Sequence, residues 1–209
     1  MTYIDFVLDC SYSARNFLSG VYLFCNDFIR EMYTKYPEYD CHFGITSFYG
    51  SDREVKIANF NEQKFTDKIY EFDRKFFELE ISGGDRQGKE NIVGGMNKSI
   101  QKFEDSEGKH IMILFSDSYV GYGDFDEIKL ENPLHMLVMY LADDKTWENA
   151  RNEAANNFWC LPLCNKNNRV DHSIKMKKCS LNQLFEKENR EENWNREIEA
   201  LCELVRKNR

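Results

Sequence analysis

The chain has 209 residues, 42% of them hydrophobic and 14% aromatic, a composition typical of a folded globular protein with a full core. Its net charge of −8 disfavours general binding to nucleic acids and to anionic membranes, because both repel an acidic protein. No apolar run approaches the roughly 20 residues that span a bilayer, and no signal peptide is recognisable at the N-terminus.

The chain alternates short apolar runs, typical of buried strands, with segments whose apolar residues recur every three or four positions, as in helices. The predicted elements are a strand at 3–8, a helix through 17–28 ending before Pro37, strands at 41–49 and 54–60, helices at 65–77 and 93–103, strands at 110–115 and 134–141, a helix at 144–155, a strand at 158–163 and a last helix at about 188–207. Residues 165–178 are polar and basic, which predicts a surface loop. We find no repeat or linker and expect one domain over residues 1–209.

This alternation predicts an α/β fold with a doubly wound, mainly parallel central sheet and helices on both faces. One strand is expected to be antiparallel, because the turn at 50–52 is short enough for a hairpin between the second and third strands. In such a sheet, the loops after neighbouring parallel strands form a crevice in which ligands bind. The residues that follow the strands are therefore the candidates for function.

Oxygen-bearing side chains follow two of these strands. Asp9, Ser11 and Ser13 come directly after the first strand, and Asp117 follows the strand at 110–115. Asp85 lies in a glycine-rich loop between them, where glycines allow close backbone approach. Carboxylate and hydroxyl oxygens are the ligands of Mg²⁺, Mn²⁺ or Ca²⁺ rather than of zinc or copper. We therefore expect a divalent-cation site at this crevice.

The cysteines and histidines give a weaker alternative. Seven scattered cysteines, an odd number, are typical of free thiols in a reducing cytosol, so we expect a cytoplasmic protein. A zinc site would draw on Cys160, Cys164, His172 and Cys179. The first two lie in a predicted strand and its exit, where an extended chain would separate them by about 13 Å, too far to share an ion. Buried thiols are the simpler interpretation.

Three ordered motifs resemble those of the von Willebrand factor A (vWA) domain, over roughly residues 3–163. They are Asp9-x-Ser11-x-Ser13, Gly83-Gly84-Asp85 and Phe115-Ser116-Asp117-Ser118. In the vWA family, an Asp-x-Ser-x-Ser motif, a Thr or Asp from a second loop and an Asp from a third form the metal ion-dependent adhesion site (MIDAS). The resemblance implies that Asp9, Ser11, Ser13, Asp85 and Asp117 hold a cation.

Within that family, the second motif and the segment from Glu90 to Met96 resemble intracellular microbial, bacterial-type vWA proteins associated with alpha-kinases or tellurite-resistance clusters. Those proteins carry a Pro after the Gly-Gly-Asp motif, which is missing here, and the segment from Asp85 to Glu90 is longer by two residues. Three directly bound carboxylates would overcompensate a divalent charge and weaken binding of a further acidic ligand. We therefore expect Asp85 to reach the metal through water, or affinity for an acidic ligand to be modest.

The resemblance implies a non-enzymatic protein-binding module that depends on a divalent cation and acts in an intracellular multi-protein system. Its partner would offer an acidic residue to the metal, and a kinase, phosphatase or other operon-encoded component fits this description. Family members can couple the site to movement of the last helix. No nucleic acid or membrane partner is expected.

Two alternatives remain open from the sequence. With no metal involved, Asp9 and Ser11 could cap the first helix and brace its turn, as Asp and Ser commonly do at strand–helix junctions, and Asp117 could do the same in its own turn. A Mg²⁺-dependent phosphatase-like hydrolase, of the kind with an aspartate nucleophile after its first strand, would have a second acid two residues later. This chain has Ser11 at that position, which counts against catalysis.

Overall fold

A six-stranded sheet forms the centre of the computed structural model, which describes residues 1–50, 54–83, 90–118, 134–141, 178–180, 185 and 190–207. The strands lie in the order β3-β2-β1-β4-β5-β6. Their bounds are Thr2–Asp9 (β1), Cys41–Phe48 (β2), Lys56–Ile57 (β3), Lys109–Ser116 (β4), Met136–Leu141 (β5) and Lys178–Ser180 (β6). Only β3 pairs in antiparallel fashion among these described strands. The predicted mainly parallel sheet with one antiparallel strand is confirmed.

The two central strands, β1 and β4, are apolar because helices cover both faces of the sheet. Ile4, Phe6 and Val7 of β1 expose none of their surface, and Ile113 and Leu114 of β4 are equally buried. Such continuous burial is typical of parallel strands, whose crossover helices cover both faces. The two strands are paired from Thr2 with Lys109 to Leu8 with Phe115, so their carboxyl ends coincide.

Helices lie on both faces of the sheet, as predicted. Their bounds are Arg15–Lys35 (α1), Ile69–Phe77 (α2), Ile92–Phe103 (α3) and Arg190–Lys207 (α4), with a short 3₁₀ turn at Pro37–Tyr39. Apolar residues of α1, α2 and α4 share one core with Phe6 of β1, and those of α3 share the other core with Val7. Phe6 and Val7 are adjacent on β1, and their side chains point to opposite faces.

The second helix was predicted too long. It begins at Ile69 rather than at residue 65, because Thr66 exchanges two backbone hydrogen bonds with Phe43 of β2, at 2.8 and 2.9 Å. Those bonds hold the segment extended, and Phe65 packs against Phe103 of α3 instead, with ring centroids 5.5 Å apart. The aromatic period continues through this segment, but tertiary pairing determines its conformation.

Other predicted bounds differ less or fall elsewhere. The strand predicted at 54–60 is two residues long, Lys56–Ile57, and the start predicted for the last helix, at about 188, lies outside the described residues. Lys178, predicted at the end of a surface loop, begins β6. The helix predicted at 144–155, the strand predicted at 158–163, and Cys160, Cys164 and His172 of the zinc alternative lie outside the described residues. No described helix is long and apolar enough to cross a membrane.

A charged pair lies buried beneath the sheet. Lys102 of α3 donates to Asp5 of β1 at 2.5 Å, both side chains are inaccessible to solvent, and Thr46 of β2 donates to the other Asp5 oxygen at 2.7 Å. Burial lowers the pKa of Lys102, and the neighbouring Asp5 opposes that shift. Gly44 makes room for the pair, since a Cβ at this position would lie 2.9 Å from Asp5 Oδ1. The pair joins α3 to the two strands that it covers.

The last helix is attached to the core by polar contacts. Trp194 donates its indole N–H to Asp27 of α1 at 3.0 Å, and Tyr140 of β5 donates its hydroxyl to Glu197 at 2.9 Å. At the other end of the helix, Lys109 of β4 donates to the carbonyl oxygen of Val205. These contacts set the position of α4 relative to the sheet.

Candidate metal site

The loop after β1 brings three of the predicted ligands together. Asp9 is 2% exposed, and its Oδ1 accepts the backbone N–H of Ser11 at 3.0 Å, which closes a tight turn. Beyond that turn, the hydroxyls of Ser11 and Ser13 are hydrogen-bonded to each other at 2.9 Å, with Ser11 fully buried and Ser13 exposed. The loop therefore presents one buried carboxylate and two adjacent hydroxyls.

The prediction that Asp9 or Ser11 caps α1 is wrong. The residue at the N-cap of α1 is Ala14, and no side chain caps the helix. Asp9 does brace the turn that precedes Ser11, as the same interpretation predicted, and its second oxygen accepts a hydrogen bond from the end of β4. Because neither side chain caps the helix, their oxygen atoms remain candidates for binding a ligand.

The loop after β4 meets the first loop at the same edge of the sheet. Ser116, 1% exposed, donates its hydroxyl to Asp9 Oδ2 at 2.7 Å and accepts the backbone N–H of Ser118 at 3.0 Å. Asp117 lies between them in sequence and is partly exposed. Its Oδ1 is buried and has no hydrogen-bond partner among the described residues. An unpaired buried carboxylate oxygen is a costly feature unless a cation or water completes it.

The carboxylate of Asp9 is affected by its burial and by the charge of Asp117. Burial raises the pKa of Asp9 to about 6, and the charge of Asp117 adds to the rise, while hydrogen bonds from Ser11 and Ser116 oppose it. The two carboxylates lie in a small pocket with apolar residues, which reduce their solvation. The pocket is lined by Asp9, Ala14, Phe17, Leu18, Val21, Phe115, Ser116 and Asp117. Two carboxylates over an apolar floor create a site that favours positive charge.

Cys10 does not contribute to the site. It lies between Asp9 and Ser11 but is fully buried on the core side, and burial raises the pKa of its thiol to about 12. A thiol that stays protonated is a poor metal ligand. The donors that remain are hard oxygens, in line with the predicted preference for Mg²⁺-type ions.

The loop that carries Asp85 is held at this edge at both ends. Ser82 donates its backbone N–H to Cys10 O at 3.1 Å, and Asn91 donates to Tyr49 O at 2.8 Å. Asp85 itself lies outside the described residues. Within the described part of the chain, no three His, Cys, Asp or Glu side chains cluster as a metal site, so the described donors are two carboxylates and serine hydroxyls.

The described donors fit a small divalent cation. In an octahedral Mg²⁺ site with oxygen ligands at about 2.1 Å, neighbouring ligands lie about 3.0 Å apart. The hydroxyl oxygens of Ser11 and Ser13, which are hydrogen-bonded to each other at 2.9 Å, are close enough together to bind one such ion. The buried Asp117 Oδ1, which has no hydrogen-bond partner among the described residues, is a further oxygen that a cation could bind.

Ser116 is the residue at this edge that the sequence did not single out. It stands inside the quoted motif, directly before Asp117. Leu8 pairs with Phe115 in the parallel register, so Asp9 and Ser116 follow at equivalent positions and their side chains share a face. Only a known strand register identifies such a partner.

Comparisons with known proteins support the fold. No protein-family model matches the sequence, and no curated protein matches it. Solved structures do. The VWA domain of SpRpn10 has a TM-score of 0.54 at 10% identity, over 88% of this chain and 93% of that one. The open form of the pilus adhesin SpaC from Lactobacillus rhamnosus GG has a TM-score of 0.58 at 11% identity, over 98% of this chain and 30% of that one.

A third similar structure contains a metal. Proximal thread matrix protein 1 from the mussel byssus, with a zinc-occupied MIDAS motif, has a TM-score of 0.52 at 12% identity. That match covers 96% of this chain and 46% of the other. The chain thus spans less than half of both the adhesin and the byssus protein. At these identities the likeness concerns the fold, and this chain has the fold of a von Willebrand factor A domain.

Proposed function

We propose that this chain is a non-enzymatic protein-binding module that holds a divalent cation, Mg²⁺ by preference and Mn²⁺ or Ca²⁺ as alternatives, at the carboxyl ends of β1 and β4. Asp9, Ser11, Ser13 and Asp117 bind the ion directly or through water, and Asp85 joins them from the second loop through water. The observation that carries this proposal is the buried Oδ1 of Asp117, which has no hydrogen-bond partner among the described residues and lies in the same pocket as the buried carboxylate of Asp9.

The cation would supply a positive charge with open positions that a foreign carboxylate can fill. The chain's own residues prepare that surface. Ser11 and Ser13 contribute neutral oxygens, so the described ligands bring two negative charges, which balance a divalent ion without exceeding it. Asp85 held behind water would preserve that balance and leave the ion able to attract an acidic side chain of a partner protein.

The wider setting is part of the same proposal. We infer a single vWA-like domain over residues 1–209, acting in the cytoplasm of a bacterial cell as one component of a multi-protein system. An operon-encoded kinase, phosphatase or other protein with an exposed acidic residue is the proposed partner. The solved adhesin and the MIDAS-bearing byssus protein make such a role reasonable for this fold.

The proposal is tested first by calorimetric titration of Mg²⁺ and Mn²⁺ into metal-stripped protein. We expect saturable binding at one site in the wild type and its loss in Asp9→Ala and in Asp117→Ala. Asp105→Ala is the matched control, because Asp105 pairs with Lys64 on the surface and should leave binding unchanged. A folded wild type that binds neither ion would overturn the metal site.

A second measurement addresses the partner. Bound Mn²⁺ is paramagnetic and broadens the proton NMR resonances of a molecule that binds to it. With the Mn²⁺-loaded wild type, we expect the resonances of a glutamate-rich peptide to broaden and those of a glutamine-rich peptide of equal length to stay sharp. Equal broadening of both peptides would contradict the carboxylate ligand. Mg²⁺-dependent hydrolysis of p-nitrophenyl phosphate that is lost in Asp9→Ala would instead favour a phosphatase.

A further inference from the structure

Ser116 is tied to both loops of the candidate site by hydrogen bonds of fixed direction. It is the last residue of β4, is 1% exposed, and accepts the backbone N–H of Ser118 at 3.0 Å. Its one hydroxyl hydrogen is directed to Asp9 Oδ2 at 2.7 Å. A buried serine so placed acts as a donor toward the carboxylate of Asp9.

The two oxygens of Asp9 are held by different parts of the chain. Oδ1 is bonded by Ser11, two residues away, and Oδ2 by Ser116, 107 residues away on the neighbouring strand. The local bond alone fixes one oxygen and leaves the carboxylate plane free to rotate about it. The bond from Ser116 fixes the second oxygen, so the plane is defined and the loops of Asp9 and Asp117 are joined.

We propose that Ser116 is a positioning residue of the metal site, which holds the carboxylate of Asp9 in the orientation that receives a divalent cation. This inference rests on the proposed function. Residues that hold metal ligands by hydrogen bonds change metal affinity by about 10- to 100-fold when they are removed. Ser116→Ala deletes only the hydroxyl, and we expect a loss of Mg²⁺ and Mn²⁺ affinity in that range.

A merely structural hydroxyl predicts a different result. It would lower the stability of the protein equally with and without metal. A positioning hydroxyl reduces the extra stability that saturating metal confers on the folded state, and each tenfold loss of affinity reduces it by about 1.4 kcal/mol. The difference between unfolding in Mg²⁺ and unfolding in EDTA is therefore the informative measurement.

The chain offers a matched control. Ser99 of α3 is also fully buried, and its hydroxyl has no hydrogen-bond partner among the described residues. Ser99→Ala removes the same atom from the core away from the site, and we expect it to leave metal affinity unchanged. Ser116→Thr restores a hydroxyl at the same position and, if it folds, should recover most of the lost affinity.

The experiment measures Mn²⁺ affinity by calorimetry, and urea unfolding in EDTA and in Mg²⁺, for the wild type and these variants. Support consists of weakened binding and a smaller metal increment in Ser116→Ala, with neither in Ser99→Ala. Wild-type affinity in Ser116→Ala, with binding still lost in Asp9→Ala, would overturn the role of Ser116 and leave the metal site intact. A wild type that binds no Mn²⁺ would remove the proposed function and this inference together.

Discussion

Replacing Asp9 by asparagine is expected to stabilise the metal-free protein near neutral pH, although Asp9 is proposed as a central residue of the site. Burial, with the charge of Asp117 in addition, raises the pKa of Asp9 from its ordinary 3.8 to about 6. A rise of about two units means that ionised Asp9 destabilises the folded state by about 3 kcal/mol. An asparagine carries no charge and therefore does not destabilise the folded state in this way.

The substitution also has an unfavourable part. Asparagine keeps a carbonyl oxygen for the N–H of Ser11, but its amide nitrogen cannot accept the hydroxyl of Ser116. One lost hydrogen bond costs about 1 kcal/mol. The expected net effect of Asp9→Asn in EDTA is therefore a gain of about 2 kcal/mol at about pH 8.

The gain should depend on pH in a defined direction. Because the folded-state pKa of Asp9 lies above the unfolded-state value, its unfavourable contribution is absent below about pH 4 and complete above about pH 6. It amounts to about 1.5 kcal/mol at about pH 5, half of its final size. The advantage of Asp9→Asn should shrink accordingly as the pH falls.

Metal is expected to reverse the order of stability. Saturating Mg²⁺ should raise the unfolding free energy of the wild type and leave that of Asp9→Asn nearly unchanged, because binding to the folded state alone is what stabilises it. Urea unfolding followed by tryptophan fluorescence measures the unfolding free energy of the wild type and of Asp9→Asn, each in EDTA and in Mg²⁺. Asp105→Asn, a surface change, serves as the control and should shift stability by less than about 1 kcal/mol in either buffer.

Two results in EDTA would refute the reasoning. One is an Asp9→Asn protein that is less stable than the wild type at about pH 8. The other is a difference in unfolding free energy between variant and wild type that is the same at about pH 5 as at about pH 8. Either result would mean that the Asp9 carboxylate is well solvated or already neutralised in the metal-free protein. A Mg²⁺ increment retained in the variant would show that Asp9 is dispensable for metal.

Two further predictions concern the buried pair beneath the sheet. Lys102→Met leaves the charge of Asp5 unpaired, and we expect it to lower the free energy of unfolding by about 3–5 kcal/mol. A large part of that loss should be recovered in the double variant Lys102→Met/Asp5→Asn. Equal losses in the single and double variants would contradict the unpaired charge as the cause. Gly44→Ala places a Cβ closest to Lys102 Nζ and 2.9 Å from both Asp5 Oδ1 and Phe65 Cδ1, and it should cost about 1–3 kcal/mol in urea unfolding. That cost should fall in the Lys102→Met background, because the methionine side chain can move away from the added methyl group. An undiminished cost would assign the clash to Asp5 and Phe65 instead.

The sheet was predictable because parallel strands are buried on both faces and appear in sequence as continuous apolar runs. The strand at 3–8 was recognised as such a run and agrees with β1. The first helix was recognised from apolar residues at helical spacing between Phe17 and Phe28, and it agrees with α1. The start of α2 was not predictable, since the aromatic period continues through Phe65. Two backbone hydrogen bonds between Thr66 and Phe43 keep that segment extended, and a non-local contact of this kind leaves no local pattern.

The residues of the candidate site were likewise predictable only in part. Asp9, Ser11, Ser13 and Asp117 could be named from the sequence, because they are oxygen-bearing residues that follow predicted strand ends. The structure places them at one edge of the sheet. Ser116 could not be assigned a role. Its bond to Asp9 depends on the register of β1 against β4, which side-chain patterns do not contain.

By itself, the sequence determined the kind of chemistry available to this protein: hard oxygens at strand ends, an acidic surface and a buried thiol between two polar neighbours. The tertiary structure decided how those groups interact. Pairing of β1 with β4 brings their carboxyl ends together over apolar residues. There, burial raises the pKa of Asp9, Asp117 Oδ1 has no partner among the described residues, and the hydroxyl of Ser116 donates to a residue 107 positions away. Desolvation and strand register are properties of the folded chain, and no local segment encodes them.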